Sequence, residues 1–73
     1  MDKNLSQALV DPLTPRELVI LRHLGEDCSN AEIAALETLA ISSVKWYVQK
    51  ICDKLGVKNR RRAVTRAREL GLL

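Results

Sequence analysis

After a weakly patterned start, the apolar positions of the chain fall at helical spacing in four successive stretches, and none alternates strongly with the period of a strand. In the first stretch Leu18, Leu21 and Leu24 form a stripe with Ile20 on its flank. The run Leu13-Thr14-Pro15-Arg16-Glu17 before it reads as a helix start. Thr14 is a good N-cap, Pro15 suits the first helical position, and Glu17 completes a capping box. Leu13 is placed to pack on Leu18 as a hydrophobic staple, and Gly25 is predicted to stop the helix in a left-handed conformation.

A second, brief helix is predicted to start at Ser29 or Asn30, with Glu32 near its positive end and Ile33, Ala34 and Leu36 as its apolar face. Residues Thr38 to Ala40 then turn the chain. The third helix spans 41–55: Val44, Val48, Ile51 and Leu55 lie four, three and four apart, and Gly56 closes it. Its other face carries Ser42, Lys45, Trp46, Gln49 and Asp53, again at helical spacing, and a Trp on that polar face is the anomaly of the chain. The fourth helix follows Asn59 and runs to about Leu70, turning Ala63, Val64, Ala67 and Leu70 inward and spreading Arg60, Arg61, Arg62, Arg66 and Arg68 over the rest. Residues 1–12 read as a flexible leader or linker remnant, and 13–73 as one all-α domain of four helices.

Composition narrows the class without changing this picture. With 47% apolar residues, three Gly and two Pro in 73 residues, the chain is neither disordered nor collagen-like. No signal peptide or membrane-spanning stretch is visible, which points to the cytoplasm. Cys28 and Cys52 are too few and too isolated for a disulfide scaffold or a zinc site, and read as reduced thiols. His23 has no acidic partner nearby in the sequence and reads as structural or merely exposed. There is no phosphate loop, no metal spacing and no nucleophile with an obvious base, so neither an enzyme nor a cofactor is expected.

Charge changes the picture more. Residues 1–37 hold three basic side chains against seven acidic ones, while residues 38–73 hold four Lys and five Arg against Asp53 and Glu69. A basic second half points to a polyanion partner. Two short helices, a tight turn and a longer second helix bearing hydrogen-bonding side chains are the plan of a helix-turn-helix. The major groove of B-DNA is about 12 Å wide and admits one such helix. On its outward face Ser42, Lys45, Trp46 and Gln49 suit base contact: Lys45 can donate to guanine acceptors, Gln49 pairs well with adenine, and Trp46 can press on a thymine methyl or a sugar. Ser43 and the free N–H groups of the helix start suit a phosphate. Lys50, Lys54, Lys58 and Arg60 to Arg62 are placed to track the backbone.

Leu13-Thr14-Pro15-Arg16-Glu17, Ser29 to Ala34, Val44-Lys45-Trp46, Lys54-Leu55-Gly56-Val57 and Arg60 to Ala63, with their intervals, resemble the LuxR-type (GerE- or FixJ-type) helix-turn-helix over residues 13–73. The closing Ala67 to Leu73 resembles the end of large ATP-dependent members of that family, in which this domain comes last. The resemblance implies a bacterial transcription regulator with its third helix in the major groove of double-stranded DNA. Lys45, Trp46 and Gln49 then match groove contacts, and Asn30 and Ser43 lie near phosphates. It also implies a homodimer through the fourth helix, for which Arg61, Val64, Thr65 and Arg68 are the candidate contacts, and RNA polymerase is a further candidate partner. The chain departs from the family pattern at Ala40, where Ser or Thr usually caps the reading helix, at Leu36-Glu37, at Tyr47 in place of His, and at Cys52 in place of an aromatic. A helical protein-interaction module of the same fold, centred on Trp46, remains the alternative, because aromatic residues and Arg also anchor protein interfaces.

Overall fold

The computed structural model describes residues 12–73, so the expected leader lies, apart from Pro12, outside the described residues. Four α-helices and no strand occur among them: α1 (Pro15–Gly25), α2 (Asn30–Glu37), α3 (Ile41–Leu55) and α4 (Arg60–Glu69). Their starts follow from local chemistry. Thr14 and Ser29 each sit in extended backbone and each close a reciprocal capping box, with Glu17 and Glu32 respectively. The Asn59 side chain accepts from the backbone N–H of Arg62. These contacts satisfy donors that a helix start otherwise leaves without a partner.

The helices end less uniformly. Gly56 terminates α3 at φ 70°, as expected of a glycine in the left-handed region. Gly25 does not take that role. It stays within α1, and the left-handed residue of the following turn is Asp27 at φ 63°. The missing side chain of Gly25 serves packing instead, since a Cβ there would lie 3.1 Å from Leu73 Cδ1. Thr38 ends α2 at φ 56°, an unusual conformation for a β-branched residue.

The core draws on all four helices: Ile20, Leu21 and Leu24, Ile33 and Ala34, Val44, Ile51, Cys52 and Leu55, then Ala63 and Ala67. Helix α3 packs against the other three, and α1 also packs on α4. The small Ala63 and Ala67, both fully buried, let α4 come close to its neighbours. Each of the fully buried Ile, Leu and Val side chains contributes about 1.5–3 kcal/mol through removal of apolar surface from water.

Two expected faces are rotated. On α1 the buried positions are Glu17, Ile20, Leu21 and Leu24, and Leu18 is only half-buried. Spacing by three and four closes on one face of a helix, whereas Leu18, Leu21 and Leu24, three apart, drift around it. On α2, Leu36 is 61% exposed, leaving Ile33 and Ala34 as the inward pair. Val48 of α3, expected in the core, is half-buried but packed against it, as are Val64 and Leu70.

Candidate nucleic-acid interface

Helices α2 and α3, joined by Thr38-Leu39-Ala40, form the helix-turn-helix. Burial of Val44, Ile51, Cys52 and Leu55 fixes the roll of α3 about its axis. The same roll leaves Ser42, Lys45, Trp46 and Gln49 exposed together, at positions that share one helical face. Trp46 is 56% exposed, an uncommon fate for an indole in so small a domain. It is not loose, however. Its ring meets Tyr47 edge-on at 5.2 Å, and the Lys50 ammonium lies 5.4 Å from its centroid. Gln49 Nε2 donates to Asp53 Oδ1 at 2.9 Å, which holds that amide along the helix and leaves its carbonyl and second N–H uncommitted by this bond.

The start of α3 differs from the other three. Ala40 occupies the N-cap in extended backbone and offers no side-chain acceptor. Ser43 and Val44 N–H bond back to Ala40 O, while the first helical N–H groups before them have no capping oxygen. Ser43 is half-buried at this end.

The other cationic residues fall into two sets. Lys45, Lys50, Lys58, Arg61 and Arg62 form no ion pair with an acidic residue among the described residues. Lys54, expected on a phosphate, is engaged internally: its side chain is 14% exposed, and Nζ donates to Glu17 Oε1 at 2.8 Å and to Pro12 O at 3.2 Å. The cause is Glu17, whose burial sequence reading missed. Burial works against its charge, yet the hydrogen bond from Lys54, the Thr14 backbone N–H and the Lys54 charge together hold its carboxyl below the ordinary 4.5. Asn30 and Arg60, two further phosphate candidates, meet each other: Arg60 Nη1 donates to Asn30 Oδ1 and Nη2 to Cys28 O, both at 2.7 Å.

The four candidate dimer residues do come together. Arg61, Val64, Thr65 and Arg68 line one wall of an open groove of about 450 Å³, whose other wall includes Leu24, Gly25, Asp27 and Ser29. His23, read as lacking an acidic partner, has two carboxylates beside it. Nε2 is 2.7 Å from Glu37 Oε2, and Nδ1 is 3.8 Å from Glu26 Oε1. Arg16 donates to the other oxygen of Glu37 at 3.2 Å, so Glu37 ties the end of α2 to α1. The charged residue after Leu36, where the chain departs from the family pattern, therefore has partners on α1.

Residues 11–67 match the model of bacterial regulatory proteins of the luxR family. The HTH-type transcriptional regulator AlkS of Ectopseudomonas oleovorans is 34% identical over 61 residues, which cover 84% of this chain and 7% of AlkS. The transcriptional regulatory protein DesR of Bacillus subtilis is 38% identical over 61 residues, covering 84% of this chain and 31% of DesR. The response regulator protein VraR of Staphylococcus aureus is 38% identical over 65 residues, 89% of this chain and 31% of VraR. Among solved structures, the response regulator ChrA of a heme-sensing two-component system superposes with a TM-score of 0.81 and 36% identity, over 99% of this chain and 37% of ChrA. The chain thus spans under a tenth of AlkS and about a third of DesR, VraR and ChrA.

Proposed function

The chain belongs to the luxR family of bacterial regulatory proteins, transcription regulators rather than enzymes, and we propose that it acts by laying α3 in the major groove of double-stranded DNA. The observation that carries this reading is the exposed face Ser42, Lys45, Trp46 and Gln49 on a helix whose opposite face is locked in the core. Lys45 reads a guanine acceptor, Gln49 an adenine, and Trp46 packs on a thymine methyl or sugar, with Ser42 beside them. The uncapped N–H groups after Ala40, together with Ser43, take a phosphate. Lys50 and Lys58 follow the backbone, while Asn30 and Arg60 approach it as the linked pair the fold makes of them. Lys54 is left out of this set because Glu17 holds it.

On a pseudo-palindromic site two copies pair through α4, using Arg61, Val64, Thr65 and Arg68. Asp27 on the facing wall of the same groove supplies an opposite charge for these arginines. Pairing raises the affinity of a weak single domain through effective concentration. The reading places the protein in the bacterial cytoplasm, where its DNA is.

Fluorescence anisotropy of a labelled duplex at two salt concentrations, with Trp46 emission followed in parallel, tests it. A lone domain should bind mixed sequence with a Kd of roughly 10⁻⁴ to 10⁻⁶ M at physiological salt, weaken steeply as salt rises, and perturb Trp46. On a specific site Lys45→Ala should cost about 1–3 kcal/mol and relax the preference at one base pair. Loss of equal size on every sequence would remove base readout by Lys45. No binding at low salt would sink the DNA reading and turn the 56%-exposed Trp46 into the centre of a protein interface.

A further inference from the structure

The turn between α1 and α2 brings together three side chains of different chemistry that the proposed DNA face does not use. His23 lies in the last turn of α1, Glu26 caps that helix, and Cys28 follows two residues later. The left-handed Asp27 folds the chain back so that Cys28 N–H bonds to His23 O at 3.1 Å. One ligand atom from each of the three, an imidazole nitrogen, a carboxylate oxygen and the thiol sulfur, then lies within 4.8 Å of the others.

The imidazole is the informative member. Its Nε2 is 2.7 Å from Glu37 Oε2, and the second oxygen of that carboxylate already accepts from Arg16. A carboxylate accepts only, so Nε2 carries the proton of this hydrogen bond. Nδ1, on the opposite side of the ring, is buried and has no hydrogen-bond partner. In the tautomer with its proton on Nε2, the ring presents a buried Nδ1 lone pair toward Glu26 Oε1, 3.8 Å away, which is itself an acceptor. Two acceptors and a thiol thus face one another with donor atoms of the kinds that ligate a metal.

We propose that His23 Nδ1, Glu26 and Cys28 bind a zinc-class divalent cation, with water as the fourth ligand and Glu37 as the carboxylate that orients the histidine. Nitrogen, sulfur and oxygen donors suit Zn²⁺, and tetrahedral coordination asks for ligand atoms roughly 3.3–3.8 Å apart. The His23–Glu26 separation already meets that spacing, and Glu26, 72% exposed, is free to swing. A histidine that donates its other N–H to a carboxylate is the usual orientation device at such sites. Binding forms a Cys28 sulfur–metal bond and releases the thiol proton to solvent. The carboxylates of Glu32, Glu26 and Asp27 act on the Cys28 sulfur with negative charge, and Arg60 opposes them. That acidic surrounding welcomes a cation. The two cysteines looked too isolated for zinc because the site needs only one of them, joined by a histidine and a carboxylate from an adjoining helix end.

Titration of the chain with Co²⁺ and with Zn²⁺ tests this without any DNA. One Co²⁺ per chain should give thiolate-to-metal charge-transfer absorption and the intense visible bands of tetrahedral cobalt. Cys28→Ser should abolish the charge-transfer band, and Cys52→Ser should keep it. Glu37→Gln should weaken affinity 10–100-fold. Zn²⁺ should raise the thermal midpoint of the native chain and leave that of Cys28→Ser unmoved. Glu26→Gln, altered only at an exposed side chain, provides a second variant that retains the fold, with affinity lowered at least tenfold. Absence of the charge-transfer band at saturating Co²⁺, or its persistence in Cys28→Ser, would overturn the site.

Discussion

Helices α2 and α3 begin with nearly the same backbone and opposite chemistry. Ser29 stands at φ −75°, ψ 164° and Ala40 at φ −73°, ψ 150°. At Ser29 the hydroxyl accepts from Glu32 N–H at 3.0 Å and Glu32 Oε1 accepts from Ser29 N–H at 2.7 Å. At Ala40 the same geometry is reached with no side-chain acceptor. The extended N-cap conformation thus belongs to the packing of the helices, and the capping oxygen is an addition the fold can omit. Among the described helices it is omitted only on α3, whose free face carries Lys45, Trp46 and Gln49. The contrast extends to the charges. Glu17 and Glu37 of the acidic half are engaged internally, with Lys54 and with Arg16 and His23, while Lys45, Lys58, Arg61 and Arg62 stay exposed and meet no acid among the described residues.

The largest effect should come from breaking the inward-facing half. Lys54→Met leaves the 4%-exposed Glu17 side chain without its cation and should cost about 3 kcal/mol, near the low end for an interrupted buried pair, because Thr14 N–H still donates to it. Chemical denaturation measures this, and a second change of Glu17 to Leu should recover most of the loss. The pair also fixes a pH dependence. Because the folded carboxyl lies below its ordinary 4.5, its stabilisation is complete above that value and disappears as pH falls through the folded pKa. Thermal midpoints from pH 7 downward should show a component of acid destabilisation that is missing in Glu17→Gln.

Smaller effects sharpen the comparison of caps. Ser29→Ala should lose about 1 kcal/mol, while Ala40→Ser should gain about 0.5–1 kcal/mol by supplying the missing acceptor. If the uncapped N–H groups hold a phosphate, Ala40→Ser should also weaken duplex binding as measured by anisotropy. Unchanged binding would move that phosphate elsewhere. Thr38→Gly, at φ 56° in the turn between the two helices, should be the mildest, stabilising by about 0.5 kcal/mol in thermal melts.

What was legible in the sequence follows from the range of the interactions. Caps and apolar spacing are local, so the starts at Thr14, Ser29 and Asn59 and the 41–55 span of the third helix could be read directly. The phase of α1 could not. Its buried face begins with Glu17, and an acidic residue in the apolar rhythm shifts the eye to Leu18. The cation that compensates that burial is a lysine 37 positions away. The same holds for Arg60 with Asn30 and Cys28, for Glu37 with His23, and for Leu73 against Gly25, where the partner sits on another element or at the far end of the chain. The exposed face of α3 was legible because it is the complement of a local apolar stripe. Which basic residues remain free was not, because that depends on these distant partners.

The fork of Arg60 has a consequence for how the domain opens. One guanidinium at the first turn of α4 holds the carbonyl of Cys28 and the side chain of Asn30, the first residue of α2. Fraying of either helix start breaks the same two bonds, so the amide protons of the first turns of α2 and α4 should exchange with solvent as one cooperative unit, although 30 residues of sequence separate them.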